Sequence, residues 1–217
     1  MLAGCMEGKL HITINDDHSA DVEHRMGFDK FFIDLMEEDA GLEELKEEMA
    51  GEGFEVSTYD NDQTNMAGIV AERSFDSMEK LSRGDFNIGL PADGETEDTF
   101  DFGKIEFNEG FLRNMYMVDL NFDMDDEMPE ETGEFGSLQD QIDFEFIITL
   151  PVESDNNNAA EVRDDGQTLV WNLVPGQDNH VMIEESSWNI LNLFIVFVIA
   201  LVVVVIFIKL IKGRKIA

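Results

Sequence analysis

Sixteen consecutive apolar residues, Leu193–Ile208, stand close to the end of the sequence, and all are Leu, Ile, Val or Phe except Ala200. A helix in a soluble core is shorter than this and keeps polar positions on one face. Extended back through Asn192 and Asn189 to Trp188, the stretch is 21 residues long. As a helix it spans ~31 Å, which matches the hydrocarbon core of a bilayer. At −0.3 to −0.6 kcal/mol per central Leu, Ile, Val or Phe, the run favours insertion by about 5 to 9 kcal/mol. Its richness in β-branched residues is no obstacle, because in lipid the backbone has no other way to satisfy its hydrogen bonds. Trp188 suits the interfacial belt at one end, and Leu193 and Ile208 bound the apolar run.

The flanks set the orientation. Lys209, Lys212, Arg214 and Lys215 follow the run with no acid among them, whereas Glu184 and Glu185 precede it. The positive-inside rule places the basic tail in the cytoplasm and the N-terminal domain outside, in a single-pass protein of the cell membrane. The expected divisions are an anchor region at 1–7, an extracytoplasmic domain at 8–186, a transmembrane helix at 187–209 and a basic tail at 210–217. The first partner implied is the lipid bilayer.

Composition narrows what the domain can be. The chain carries 14 Lys+Arg against 48 Asp+Glu, a net charge of −34, and residues 1–208 alone stand at −38. Such a surface repels phosphate backbones, so nucleic acid is excluded as a partner. Disorder is a poor reading too, since the chain is 43% apolar with 17 Phe. An acidic surface of this density fits solvation in concentrated salt, a halophilic setting where screening relieves self-repulsion.

Leu2-Ala3-Gly4-Cys5 matches the lipobox read by bacterial lipoprotein processing, in which the Cys thiol receives a diacylglyceryl group. No basic n-region and no apolar stretch precede it. Either the start lies inside the signal peptide or the four-residue match is fortuitous. Falling where a mature N-terminus should, in a chain otherwise marked for export, it makes Cys5 the expected lipidation site. Because Cys5 is the single cysteine, a disulfide framework and a Cys-based zinc site are ruled out.

The domain itself reads as α+β: an antiparallel sheet of hairpins with one or two packed helices, followed by the single C-terminal transmembrane helix. Leu10, Ile12 and Ile14 alternate with polar residues, break at Asn15–Ser19 and resume at Val22, predicting a hairpin over 9–28. Residues 28–50 switch to helical spacing, with Asp39-Ala40-Gly41 kinking or splitting the segment. Strands follow near 53–59 and 65–72 with a turn at Asp60–Asp62, then a short helix over Phe75–Leu81. In the second half, strands are expected over 98–107 and along the row Tyr116, Val118, Leu120, Phe122 and Met124. Another carries Ile142, Phe144, Phe146, Ile148 and Leu150 with Asp143 and Glu145 opposite. The last strands fall near 160–164, 169–174 and 180–185. Clean alternation of this kind means an antiparallel sheet with one wet face.

Motifs of chemistry are sparse. The inward row of the first hairpin is even-numbered, so His11 points out and His24 in, and the two cannot share a metal. No HExxH, nucleophile elbow or phosphate loop occurs. Asp123–Glu134 resembles part of a calcium loop, but Met128 stands where Gly is required and Pro129 follows, so a solvated acidic loop is the better account. No catalytic residue, cofactor or metal is expected. All 12 Met and 14 of the 17 Phe lie outside the span. They could line an adaptable apolar cavity or simply fill a core short of Leu.

Cys5, the hairpin Leu10–Met26, the helix after Phe28 and the strand Gly53–Asp60 together resemble the LppM-like family of actinobacterial lipoproteins. So does Ile148-Thr-Leu-Pro-Val152, continuing to Gly166-Gln-Thr-Leu-Val-Trp-Asn-Leu-Val-Pro-Gly176, where Trp171, Pro175 and Gly176 mark a hairpin. The resemblance implies a lipid-anchored, single-pass surface protein with an α+β domain linked to envelope lipids or glycolipids. It carries over no enzymatic residue. The expected function is therefore a non-enzymatic surface lipoprotein whose domain binds an envelope lipid or other amphiphile. The alternative is an adaptor or signalling protein that docks another membrane or surface protein.

Overall fold

The computed structural model describes residues 6–35, 40–78, 81, 103–123, 142–174 and 177–214. The first hairpin forms as its alternation dictates: β1 (Met6–Ile14) pairs antiparallel with β2 (Ala20–Asp29), Leu10 opposite His24 and Ile12 opposite Val22. The helical stretch gives two described helices, α1 (Lys30–Leu35) and α2 (Ala40–Gly51), and Asp39 of the expected kink lies outside the described residues. β3 (Glu55–Asn61) and β4 (Met66–Phe75) form the next hairpin. Its turn lies later than expected, and Asn65 takes a left-handed φ of 58°. β4 runs on to Phe75, which pairs with Ala20, so Phe75 ends a strand and does not open a helix. Beyond it, the Met78 amide donates to the His18 carbonyl at 3.0 Å.

The second half gives β5 (Gly103–Glu109), β6 (Arg113–Asp123), β7 (Ile142–Thr149), β8 (Glu161–Arg163), β9 (Thr168–Leu173) and β10 (Asp178–Trp188). The described strands form a seven-stranded sheet, β3-β4-β2-β1-β7-β9-β8, and a three-stranded one, β10-β6-β5. The α+β class expected from the sequence is found, with one difference in pairing: β1 and β7 run parallel. Both are central strands, and the crossover between them contains everything from β2 to β6.

The two sheets share one core. From the large sheet come Leu10, Ile12, Val22, Met26, Phe146, Ile148, Leu169 and Trp171; from the small one come Tyr116, Val118, Leu120, Phe122, Val181 and Ile183. Phe146 sits between them, its ring centroid 5.3 Å from Phe122 and 6.0 Å from Trp171. α2 packs on β3 and β4, adding Met49 with Phe54 just beyond it. Alternation holds in β6, where Asn114, Tyr116, Val118, Leu120 and Phe122 are buried. It fails in β7 and β9, whose Ile147 and Val170 are buried although they point to the other face.

The last element, α3 (Ile190–Arg214), is the apolar helix. The transmembrane helix is expected over 187–209, but strand pairing continues through Trp188, opposite Arg113, and the helix begins at Ile190.

Candidate functional site

Asn189 alone separates β10 from α3. Its backbone N–H donates to the Leu112 carbonyl at 2.9 Å, extending the β6–β10 ladder by one more bond. Its side-chain Oδ1 accepts from the Asn192 amide at 3.1 Å and its carbonyl accepts from Leu193 at 2.9 Å. This is an N-cap: the residue ends the strand and satisfies an amide that the first turn of a helix leaves free. Within the 20 residues Ile190–Lys209 the most apolar 18-residue window has a mean hydropathy of 3.4, and none of it is buried against the protein. The helix is long and apolar enough to cross a membrane, and it supports a single-pass topology.

The residues expected to anchor the chain are distributed over this junction and the helix beyond it. Trp188 is the exposed last residue of β10, with the Arg113 guanidinium 4.6 Å from its ring centroid. Leu193, Ile208 and Lys209 are exposed on α3. Lys212 and Arg214 belong to its final turns, while Lys215 lies outside the described residues, as does Cys5. Beside the junction, the β5–β6 hairpin turns through Gly110, Phe111 and Leu112. Phe111 is 65% exposed and Leu112 41%. A Cβ on Gly110 would collide with the Arg113 carbonyl, so the tightness of this turn requires glycine.

The domain end facing the junction can be identified from contacts across the core. The His18 ring lies 4.4 Å from Phe107, which lies 5.1 Å from Tyr116. The β1–β2 turn is thus at the helix end, and Met6 starts β1 at the opposite end, ~26 Å away along a nine-residue strand.

On the outer face of the large sheet, Glu55, Glu72, Glu23 and His11 stand directly opposite one another in register across β3, β4, β2 and β1. Together with Thr13, Asp21, Arg73 and Ser74 they line a concavity of about 730 Å³. His11 Nε2 is 2.9 Å from Thr149 Oγ1, and partial burial followed by the nearby Lys9 charge lowers its pKa, against an opposing pull from Glu23. Asp21 accepts from Ser74 at 2.6 Å and from Asn15 at 2.9 Å, which holds its carboxyl below the usual range. The surface is polar and acidic, unlike the apolar lining that Met and Phe could have provided. Met26, Met49, Met66 and Met78 are instead packed in the interior.

His24 points inward as its register dictates, and burial pushes its pKa down to about 4. Among the described residues, no three His, Cys, Asp or Glu side chains converge in a way that could hold a metal ion. The acidic loop beginning at Asp123 lies almost wholly outside the described residues.

Trp171 is buried on β9, between β7 and β8. Pro175 and Gly176 lie outside the described residues, and the strands on either side of them belong to different sheets: β9 to the large one, β10 to the small one. A residue missed in the sequence joins those sheets. Asn158 Oδ1 accepts from Trp171 Nε1 and from the Met182 amide, each at 2.8 Å, and its Nδ2 donates to the His180 carbonyl at 2.8 Å. Only its place in the run Asn156-Asn157-Asn158, a polar stretch ahead of a short strand, could have drawn attention to it.

Residues 110–215 match the profile of a family described as a protein of unknown function, DUF3153. The matched segment begins at the β5–β6 turn and ends just past α3. Among solved structures, the NMR structure of the folded domain of Mycobacterium tuberculosis LppM is similar. It shares 12% sequence identity, with 87% of this chain and 94% of that chain covered and a TM-score of 0.48. No curated protein matches the sequence.

Proposed function

We propose that this chain is a non-enzymatic, single-pass membrane protein whose two-sheet domain lies outside the cytoplasm and binds an envelope lipid or other amphiphile at the bilayer surface. The observation that carries the reading is the junction: a strand that becomes the membrane helix through Asn189 holds the domain against the lipid, with no linker to let it reach elsewhere. Four exposed large apolar side chains, Phe111, Leu112, Met115 and Trp188, gather at that junction, whereas Phe31, Val162 and Val174 are exposed singly elsewhere on the domain. An adaptor docking another protein would need such a patch away from the membrane. The basic residues Lys209, Lys212, Arg214 and Lys215 support a cytoplasmic C-terminus by the positive-inside rule. Cys5 would add a lipid just before Met6, at the end of β1 remote from Asn189. A doubly tethered domain then leans along the bilayer so that both ends of the large sheet meet it.

The test is photocrosslinking of the full chain in vesicles containing a diazirine phospholipid. Binding by the domain predicts adducts on peptides from residues 6–109 or 142–178. Adducts confined to α3 and the junction would overturn it. Mass spectrometry of the N-terminal peptide reads the state of Cys5 separately.

A further inference from the structure

We infer that the β5–β6 turn, Gly110–Leu112, is a second membrane contact, inserted at the headgroup level beside the start of α3. The inference rests on the reading of α3 as a membrane span and does not depend on what the domain binds. Three independent observations meet at this spot.

The first is position. The Leu112 carbonyl accepts from the Asn189 amide at 2.9 Å, so the turn is bonded to the residue that caps the helix. Wherever the first turn of α3 enters the bilayer, Phe111 and Leu112 are beside it, whatever the tilt of the domain.

The second is exposure. Phe111, at 65%, and Leu112, at 41%, point away from the core at the tip of a hairpin, next to Trp188 at 55% and Ile190 at 77%. In water this is an uncovered apolar cluster on a very acidic protein. Against a bilayer it continues the apolar surface of α3, with an aromatic ring at the depth where aromatic belts sit.

The third is charge. In a chain with 48 acidic residues, 110–118 contain none, and neither do 186–217. They pair in register only from Arg113–Trp188 to Met115–Ser186; beyond that, Glu185 and Glu184 stand opposite Tyr116 and Met117. The flanking acid Glu109 sits one register step further from the tip, opposite Asn114. Arg113 is the charge left at the tip; its guanidinium lies over the Trp188 ring and is exposed to meet a lipid phosphate. Acid is absent also from 63–71 and 166–177, so the acid-free tip is not unique; its consequence is local, in that Gly110–Met115 and the facing Ser186–Trp188 set no carboxylate against an anionic surface.

The experiment is spin-label depth measurement on the full chain in phosphatidylethanolamine–phosphatidylglycerol vesicles. In a Cys5→Ser background, nitroxides are placed at Phe111→Cys, at Asp178→Cys on the far end of β10, and at Val198→Cys within α3. Collision with oxygen reports lipid and collision with a water-soluble nickel chelate reports solvent. The expected result is loss of nickel collision at position 111 relative to 178, with a depth between those of 178 and 198. A label at 111 as open to nickel as the one at 178, with 198 buried in lipid, overturns the inference. A label at 198 open to nickel overturns the membrane span itself and the inference with it. Should the label at 111 disturb the turn, Phe111→Trp read by quenching from brominated lipid gives the same decision: quenching supports the contact, and its absence removes it.

Discussion

The Tyr59 hydroxyl donates to Glu7 Oε1 at 2.6 Å, although the two residues belong to β3 and β1, with β4 and β2 between them. The register explains the reach: Tyr59 stands opposite Gly68, Gly68 opposite Gly27, and Gly27 opposite Glu7. Gly27 leaves a trough on the outer face that the phenol enters, since a Cβ there would meet the Tyr59 hydroxyl, while Gly68 lets the Met26 backbone approach. Arg25 covers the phenol, its guanidinium 4.0 Å from the ring centroid and 3.5 Å from Glu7 Oε1. Burial, followed by the bond to Glu7, raises the Tyr59 pKa, so the phenol keeps its proton and remains the donor.

Tyr59→Phe keeps the ring and removes the bond. It should lower stability by ~1.5–3 kcal/mol, the range for a hydrogen bond to a charged group. Gly27→Ala should cost more, because the new Cβ collides with the Tyr59 hydroxyl and the Glu7 side chain. Thermal melts of both variants in detergent would rank them; a neutral Gly27→Ala would mean the ring does not occupy the trough.

Asn158→Ala should destabilise the domain by ~2–4 kcal/mol, since it leaves the buried Trp171 indole N–H without its acceptor and cuts both bonds to β10. Trp171→Phe in the same background should then cost less than in the parent, because the orphaned donor is gone. A double-mutant cycle read by urea denaturation tests this, and additive costs would count against the coupling.

His24 makes stability depend on pH. Its folded pKa is about 4 against an unfolded value near 6.5, so the unfolded chain takes up a proton that the folded one refuses. Stability is fully present above pH 6.5 and falls as pH drops from there toward 4, by as much as ~1.4 kcal/mol per pH unit. His24→Leu should flatten the denaturation midpoint across that window. The protonation of Asp21, held below the usual carboxylate range, adds its loss only at still lower pH.

The like-charged row Glu55–Glu72–Glu23 should make the fold salt-dependent. Glu72 stands opposite a glutamate on each side, and opposed like charges destabilise a sheet by ~0.2–1 kcal/mol per pair. Glu72→Lys should raise the melting temperature at low ionic strength and narrow the gap between low and molar salt. With a net charge of −38 over residues 1–208, the parent domain is expected to lose structure at low ionic strength. Circular dichroism unchanged by salt would refute that.

Much of this fold was legible because β1, β2 and β6 each have one wet face, and Leu10, Val22 and Tyr116 announce the other face by period alone. The helical spacing of α1 and α2 and the apolar α3 were equally local signals. What the residues could not announce was long-range. Nothing in Met6–Ile14 says that its second neighbour lies 136 positions ahead and runs parallel. Ile147 and Val170 read as misplaced on a wet face because the period says nothing of what covers a central strand. At the junction, Trp188 reads as helix by hydropathy and is strand by pairing with Arg113, a partner that hydropathy cannot see. Of the candidate site, the membrane helix was readable and the Phe111–Leu112 turn was not, since two apolar residues in a loop mean little until the chain brings them to Asn189.

The parallel pair β1–β7 also bears on when the molecule becomes itself. A chain emerging from its N-terminus can form β1 with β2, but the other edge of β1 stays open until Ile142–Thr149 has been made, and a contact so distant in sequence is slow to find. The small sheet waits longer still, because β10 is the final strand and leads straight into α3. An unpaired strand edge is the surface on which chains adhere to one another. The interval of greatest hazard therefore ends only as the apolar helix arrives, and the segment that fixes the protein in the membrane is also the one that seats its last strand.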